Sequence, residues 1–124
     1  MMVWTYEDSF GAYMWYTPTI RTWSENLKYF KEKNLQYVML QDNYSGFGAW
    51  QVDMRTYVGG KMLWDINRNP DDLIAEFIGH YFGPIAGPVV QEVRAALDKR
   101  NAELSAELRG RFTMLTPTAG PVGW

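Results

Sequence analysis

The chain has 124 residues, a net charge of −2 and ordinary globular proportions of hydrophobic (47%) and charged (21%) residues, so one folded domain is expected. Scattered charges exclude a basic surface for nucleic acid or anionic lipid, and no apolar stretch approaches the roughly 20 residues of a membrane span. With no cysteine and one histidine, the sequence predicts no disulfide, no metal site and no cofactor.

The first third of the chain is predicted to be strand, helix and strand. MMVWTYE (1–7) has the β-branched and aromatic composition of a buried strand, and LQYVMLQ (35–41) predicts a second one. Between them, Ser24 can cap the first turn of a helix that ends near Asn34, a residue that tolerates the left-handed conformation common at helix ends. If the strands pair in parallel, these elements form a βαβ unit.

The rest of the chain is predicted to be helical. AWQVDMRTYVGGKMLWDI (49–66) spaces its apolar residues roughly as a helix does, although Gly59 and Gly60 weaken the helix unless something packs closely there. NRNPDD stops this helix and starts the next one, with Asn69 as its cap. The apolar face of that next helix is predicted to comprise Leu73, Ile74, Phe77, Ile78 and Tyr81.

The segment FGPIAGP (82–88) is predicted to end that helix, and a longer one is predicted from about Val89 to Leu108. Residues 1–110 are therefore expected to form a single α/β domain, and residues 111–124 a loose tail. The N-terminal residues lack a basic region followed by an apolar run, so no signal peptide is expected in this chain.

Polar residues follow both predicted strands. Ligands of parallel α/β sheets bind beyond the carboxyl ends of the strands. We therefore expect one rim to carry Glu7, Asp8, Gln41, Asp42 and Asn43.

Three stretches carry a family resemblance: LKYFKEKNLQYVMLQ, RTYVGGKMLWDINRNPDDLIAEF and HYFGPIAGPVVQEV. Taken together, they resemble a domain-of-unknown-function family found in bacterial polysaccharide-degrading proteins, beside regions similar to α-glucuronidases and β-hexosaminidases. The resemblance runs from about Val3 to Leu97. The sequence departs from the family pattern at Asn34, Asp42, Gly59, Gly60 and His80.

The resemblance implies the last strands and helices of a (β/α)8 barrel and a following helical region. A whole barrel takes about 250 residues, so this chain cannot close one. The fold expected is α/β: a partial (β/α)-barrel-like unit, with two or so parallel strands and a crossover helix, followed by a helical C-terminal region. The resemblance also suggests an exported bacterial protein, periplasmic or extracellular.

Glycoside hydrolysis generally requires two carboxyl groups that flank the bond. Glu7 and Asp42 are the best available catalytic pair because each ends a predicted strand. The alternative is structural: Glu7 caps or pairs with a helix end, and Asp42 starts a turn. In the barrel families that the chain resembles, the acid and base lie on earlier strands.

Aromatic residues are concentrated early in the chain, and an aromatic ring presents an apolar face to a sugar. The predicted substrate contacts are Trp4, Tyr6, Tyr13, Trp15, Tyr16, Trp23 and Tyr44, with Gln41 and Asn43 as polar partners. Trp4 and Trp23 have the alternative of being core residues. His80 is interpreted as structural, because imidazole at a helix end can serve the terminal carbonyls. Lys61, Trp64 and Asp65 are interpreted as a helix end with a covering Trp and an Asp-led turn.

Three hypotheses follow. In the first, the chain is the C-terminal part of a glycoside hydrolase-like protein and contributes aromatic contacts to polysaccharide, with the main acid and base elsewhere. In the second, it is a carbohydrate- or partner-binding module without hydrolysis. In the third, it is a fragment that associates with itself or with the rest of a barrel, through open sheet edges and apolar surface. Whether it belongs to an enzyme is left open.

Overall fold

The computed structural model describes residues 2–7, 10, 13–14, 16–43 and 51–108. The elements follow in the order β1 (Met2–Tyr6), α1 (Ile20–Glu32), β2 (Tyr37–Gln41), α2 (Val52–Trp64) and α3 (Pro70–Leu108). The two strands pair in parallel, from Met2 with Tyr37 to Tyr6 with Gln41. The chain is thus an α/β unit with a helical C-terminal region, as the sequence predicts.

The two faces of the sheet differ. Val3, Thr5, Val38 and Leu40 are half-buried, and Val38 and Leu40 pack against the helical core. The opposite face, here called the open face, comprises Met2, Trp4, Tyr6, Tyr37, Met39 and Gln41. Its five apolar and aromatic side chains are between 44% and 66% exposed. The expectation that residues 1–7 form a buried strand is therefore wrong, because the helices cover one face only.

Helix α1 begins at Ile20, one turn before the predicted start at Ser24. Ile20, Trp23 and Leu27 are all buried, so packing of this stripe extends the helix toward its N-terminus. The end of the helix is as predicted: Asn34 has φ 56°, in the left-handed region. The Leu35 amide then donates to the carbonyl of Phe30 (3.0 Å), and for this reason β2 begins later than residue 35.

Helix α2 contacts both α1 and the sheet through Gly59. A Cβ atom at this position would lie 2.9 Å from Cζ3 of Trp23 and 3.0 Å from Cδ1 of Leu40. Gly59 therefore permits the close approach that offsets its low helix propensity. A Cβ at Gly60 would meet no other group within 4 Å.

Helix α3 is two arms, residues 70–82 and 84–108, that meet at Gly83 (φ 68°, ψ −174°). Arg21 forms ion pairs with Asp71 (2.9 Å) in the first arm and with Asp98 (2.8 Å) in the second. In a straight helix these two carboxylates would lie about 40 Å apart, at about 1.5 Å per residue. The chain therefore reverses at Gly83, and the second arm begins at residue 84 rather than at the predicted Val89.

The first arm supplies much of the core. The Asn69 side chain caps it by accepting from the Asp71 amide (2.9 Å), as predicted. Leu73, Ile74, Phe77 and Ile78 are buried with residues of α1 and α2, among them Trp23, Leu27, Met54, Val58 and Met62. Tyr81, predicted to share this apolar face, is 61% exposed, although its ring stacks on Phe77 with centroids 4.9 Å apart.

By length and composition alone, the stretch Pro70–Leu104 of α3 is apolar enough to cross a membrane. The reversal at Gly83 divides this stretch into two shorter arms. Leu73, Ile74 and Ile78, which contribute to its hydropathy, lie in the core.

Candidate functional site

Glu7 follows β1 and lies between the sheet and α1. Its amide donates to the carbonyl of Gln41 (2.8 Å), which extends the parallel pairing by one residue. The side chain is turned toward the helices, and the residue is 3% exposed. Its Oε1 accepts from the hydroxyl of Thr5 (2.8 Å), and its Oε2 accepts from the indole of Trp23. Glu7 thus joins the end of β1 to α1.

Burial raises the pKa of Glu7 above its ordinary value, while the hydrogen bonds from Thr5 and Trp23 act in the opposite direction. The negative charge of Asp42 raises the pKa of Glu7 further. The two carboxylates therefore interact electrostatically, as expected for residues that follow paired parallel strands.

Arg55 joins the ends of both strands to the first turn of α2. Its Nη2 donates to Oδ1 of Asp42 (2.7 Å), and its Nη1 donates to the main-chain carbonyl of Glu7 (2.8 Å). The Arg55 side chain is 2% exposed and that of Asp42 is 18% exposed. Asp42 also accepts from the amide of Asn43 (2.8 Å), which is the turn predicted for it as an alternative.

The structure brings Glu7 and Asp42 to one rim, with a buried guanidinium between the strand ends. Both carboxylates accept hydrogen bonds from their own chain, which suits a structural role. Their catalytic role stays a prediction. Sequence reasoning missed Arg55, although a charged residue among the apolar positions of α2 indicates a buried cation that needs a carboxylate partner.

A continuous run of aromatic rings leads from the open face into the following loop. Trp4 and Tyr6, alternate residues of β1, have ring centroids 6.2 Å apart. Tyr6 and Phe10 are 5.4 Å apart, and Phe10 and Tyr13 are 6.3 Å apart, both edge to face. Phe10 is not among the predicted contacts, and its ring lies between those of Tyr6 and Tyr13.

Polar groups border this aromatic run. The indole of Trp4, which is 50% exposed, donates to the side-chain oxygen of Gln41 (2.7 Å) on the neighbouring strand. This bond fixes the ring over the open face and leaves the amide nitrogen of Gln41 able to donate to a ligand hydroxyl. Asn43 is half-buried at the same strand end.

The other predicted contacts have different places. Tyr16 donates its hydroxyl to Asp98 of the second arm of α3, so it ties the chain just before α1 to that arm. Trp23 is 4% exposed and belongs to the core, its predicted alternative. Trp15 and Tyr44, and the rim residue Asp8, lie outside the described residues.

The structure also places the four residues interpreted as structural, which are Lys61, Trp64, Asp65 and His80. Asp65 accepts from the amide of Asn67 (3.0 Å), as in the predicted turn. Lys61 pairs with Glu76 (3.0 Å). Trp64 covers nothing, because it is 94% exposed at the end of α2, so that part of the prediction is wrong. His80 is exposed near the end of the first arm of α3.

A cleft of about 390 Å³ lies between α1 and the arms of α3. Its polar lining is an internal network: Asp98 pairs with Arg21 (2.8 Å) and lies 4.0 Å from Nε of Arg94, which itself donates to Gln51 (2.8 Å). Burial and the charge of Arg21 lower the pKa of Arg94 to about 10. Within the described ranges, no group of three or more His, Asp or Glu side chains is arranged to hold a metal ion.

No curated protein matched the chain, and no solved structure matched it. A family model matches residues 1–94, from β1 through α1, β2 and α2 into the second arm of α3. This range nearly coincides with that of the resemblance seen in the sequence. The chain therefore belongs to the family described as Domain of unknown function (DUF4838).

Proposed function

We propose that the chain is the C-terminal part of a glycoside hydrolase-like protein that acts on or binds polysaccharide, and that it contributes aromatic substrate contacts while the main acid and base lie elsewhere. The observation that carries this proposal is the run of rings from Trp4 and Tyr6 to Phe10 and Tyr13. The run starts at Trp4 in the middle of β1 and leads past Tyr6 to the carboxyl end of the parallel sheet, where α/β proteins bind ligands.

The chemistry of this surface suits a sugar. A pyranose presents an apolar C–H face that packs on an exposed ring, while its hydroxyls need donors and acceptors at the edge. Trp4 and Tyr6 are 50% and 55% exposed, so their rings are accessible. Gln41 and Asn43 supply amide groups beside them.

Glu7, Asp42 and Arg55 then serve as a support rather than as reacting groups. Arg55 fixes the ends of β1 and β2 relative to α2, and Glu7 fixes β1 relative to α1. A rigid rim of this kind keeps the aromatic rings and the polar groups in register for a ligand.

The test is isothermal titration of the isolated chain with a panel of neutral, uronic-acid and hexosamine oligosaccharides. Trp4→Ala and Tyr6→Ala are expected to weaken binding of the preferred sugar by about tenfold each. This takes the loss of one stacking contact to lie at the lower end of the about 1–3 kcal/mol found for bases stacked on aromatic side chains. Trp64→Ala is the matched control, because Trp64 is 94% exposed on a helix end and should leave binding unchanged. A folded chain that takes up none of these sugars contradicts the proposal.

The binding-module alternative differs in what the whole protein does with the sugar. In that case a protein containing this chain binds the same oligosaccharides without releasing reducing ends. Measuring both the release of reducing ends and the binding of the oligosaccharide therefore distinguishes the glycoside hydrolase-like protein from the binding module.

Self-association is a second candidate, supported by the same open face. In the described part of the chain each strand has a single neighbour, and the six side chains of the open face carry no charge. Native sheets usually protect such edges and faces with charges or a covering layer. Light scattering that shows oligomers, dispersed by Tyr37→Lys, would favour this candidate, and a monomer at high concentration would count against it.

A further inference from the structure

Cations are missing from the segments that build the open face and its rim. Residues 1–20 and 34–54 contain no Lys or Arg, whereas they contain Glu7, Asp8, Asp42 and Asp53. These segments include both strands and everything that joins β1 to α1 and β2 to α2. These segments therefore supply the open face and its rim with no cation of their own.

The neighbouring arginines are engaged by the chain's own acceptors. Arg55 is 2% exposed and donates to Asp42 and to the carbonyl of Glu7. Arg21 pairs with Asp71 (2.9 Å) and Asp98 (2.8 Å) on α3. Arg94, 8% exposed at its side chain, donates to Gln51. Each of these guanidiniums is held by groups other than those of the open face.

This charge distribution discriminates between sugars. A carboxylate or sulfate that moves from water onto aromatic rings loses hydration, and it recovers that free energy only if a cation receives it. The nearest described guanidinium, that of Arg55, is 2% exposed and already paired with Asp42, so it is not placed to receive an anion on the rings. A neutral sugar does not bear this cost, and an ammonium group gains from the exposed faces of the aromatic rings.

We infer that the sugar units bound on the open face are uncharged or carry an ammonium group, and that units bearing carboxylate or sulfate are excluded from it. This inference rests on the proposed function and specifies the substrate class of the same surface. Any acidic unit of a longer polysaccharide would have to be bound outside the open face.

The experiment is titration with oligosaccharides matched in linkage and length, each prepared as the neutral form, the uronate and the free amine. The uronate is expected to bind at least about tenfold more weakly than its neutral counterpart, as expected for a charge left without a partner. The amine should bind more tightly than the neutral form at low ionic strength, and this advantage should fall in salt. A uronate that binds as tightly as the neutral form overturns the inference while the proposed function stands. Binding of no sugar at all rejects the proposed function, and the inference with it.

A variant tests the electrostatic reason directly. Met39 lies opposite Trp4 in the parallel register and is 44% exposed on the open face. Met39→Lys should raise uronate affinity about tenfold with a strong salt dependence, whereas Met39→Gln, which adds polarity without charge, should not. Equal uronate affinities for these two variants would overturn the inference, because charge would then not be what discriminates.

Discussion

The guanidinium of Arg55 donates to the carboxylate of Asp42 across 2.7 Å, and this ion pair joins the end of β2 to the first turn of α2. The same side chain holds the main chain at the end of β1, through the carbonyl of Glu7. One buried residue of a helix thus fixes the spacing of both strand ends, on which the rim and the aromatic run depend.

Removal of this cation should be costly. Arg55→Ala leaves Asp42 and the carbonyl of Glu7 without their donor, and breaking a buried pair in this way typically costs about 3–5 kcal/mol. Urea denaturation followed by circular dichroism measures the loss. Arg100→Ala is the control: Arg100 is 64% exposed, and its removal should change the free energy of unfolding by no more than about 0.5 kcal/mol. Equal effects of the two variants would show that Arg55 does not support the strand ends.

The raised pKa of Glu7 gives its contribution to stability a defined dependence on pH. Because burial raises the pKa above 4.5, the folded chain holds this proton more tightly than the unfolded chain does. The contribution is full below the unfolded value and is lost as the pH rises through the folded pKa. Glu7→Gln cannot ionise, so its stability relative to the native chain should improve between pH 4 and pH 8. A stability difference that does not vary with pH, or that varies in the opposite direction, would contradict this assignment.

Glu76 provides a control of opposite sign. Hydrogen bonds from Tyr57 and then from Lys61 lower the pKa of Glu76 to about 2. Its contribution is present above its ordinary value of 4.5 and is lost as the pH falls toward 2. Glu76→Gln should therefore be more destabilising at pH 7 than at pH 3. The same urea titrations at several pH values test both residues.

The two adjacent glycines of α2 should respond differently to the same substitution. Gly59→Ala forces a methyl group against the buried ring of Trp23, which cannot move freely because its indole donates to Glu7, and should cost about 1–3 kcal/mol. Gly60→Ala meets open space and should stabilise the helix by about 0.5–1 kcal/mol. Thermal unfolding of the two variants compares them, and a Gly59→Ala protein as stable as Gly60→Ala would refute the close packing.

The second arm of α3 should hold the chain just before α1 through the bond from Tyr16 to Asp98. A hydrogen bond to a carboxylate is worth about 1.5–3 kcal/mol, so Tyr16→Phe should raise amide hydrogen exchange around residues 13–19 by roughly tenfold. Tyr81→Phe, which removes a 3.4 Å contact to Asp53 on an exposed surface, is the control. If the hydrogen-exchange rates of residues 13–19 were unchanged in Tyr16→Phe, this segment would be held by other contacts.

The sequence predicts the order and type of the elements because each has a local pattern: β-branched and aromatic strands, the left-handed Asn34, and the cap at Asn69 before Pro70. It also places Glu7 and Asp42 on one rim, because parallel strands end together. It misses what depends on tertiary contacts. The early start of α1 at Ile20 follows from core packing, and the half-buried state of β1 depends on which face the helices cover.

The site was predicted less fully than the fold, for a similar reason. A strand pattern indicates which residues alternate, and so Trp4 and Tyr6 share a face, but it does not indicate which face is open. Arg55 stands in an apolar stripe, and only the fold identifies Asp42 as its partner. The reversal at Gly83 brings Asp98 to Arg21 and Tyr16, a contact between residues more than 75 positions apart that no local pattern specifies.

The central claim is that sugar packs on the exposed rings of the open face, and the most direct test is nuclear magnetic resonance of the tryptophan indole groups during titration with a neutral oligosaccharide. The Trp4 indole, which donates to Gln41, should shift in a saturable manner, while the indoles of buried Trp23 and of Trp64 at the end of α2 should not. The account would be contradicted if the Trp4 resonance did not move at sugar concentrations that saturate the chain by isothermal titration.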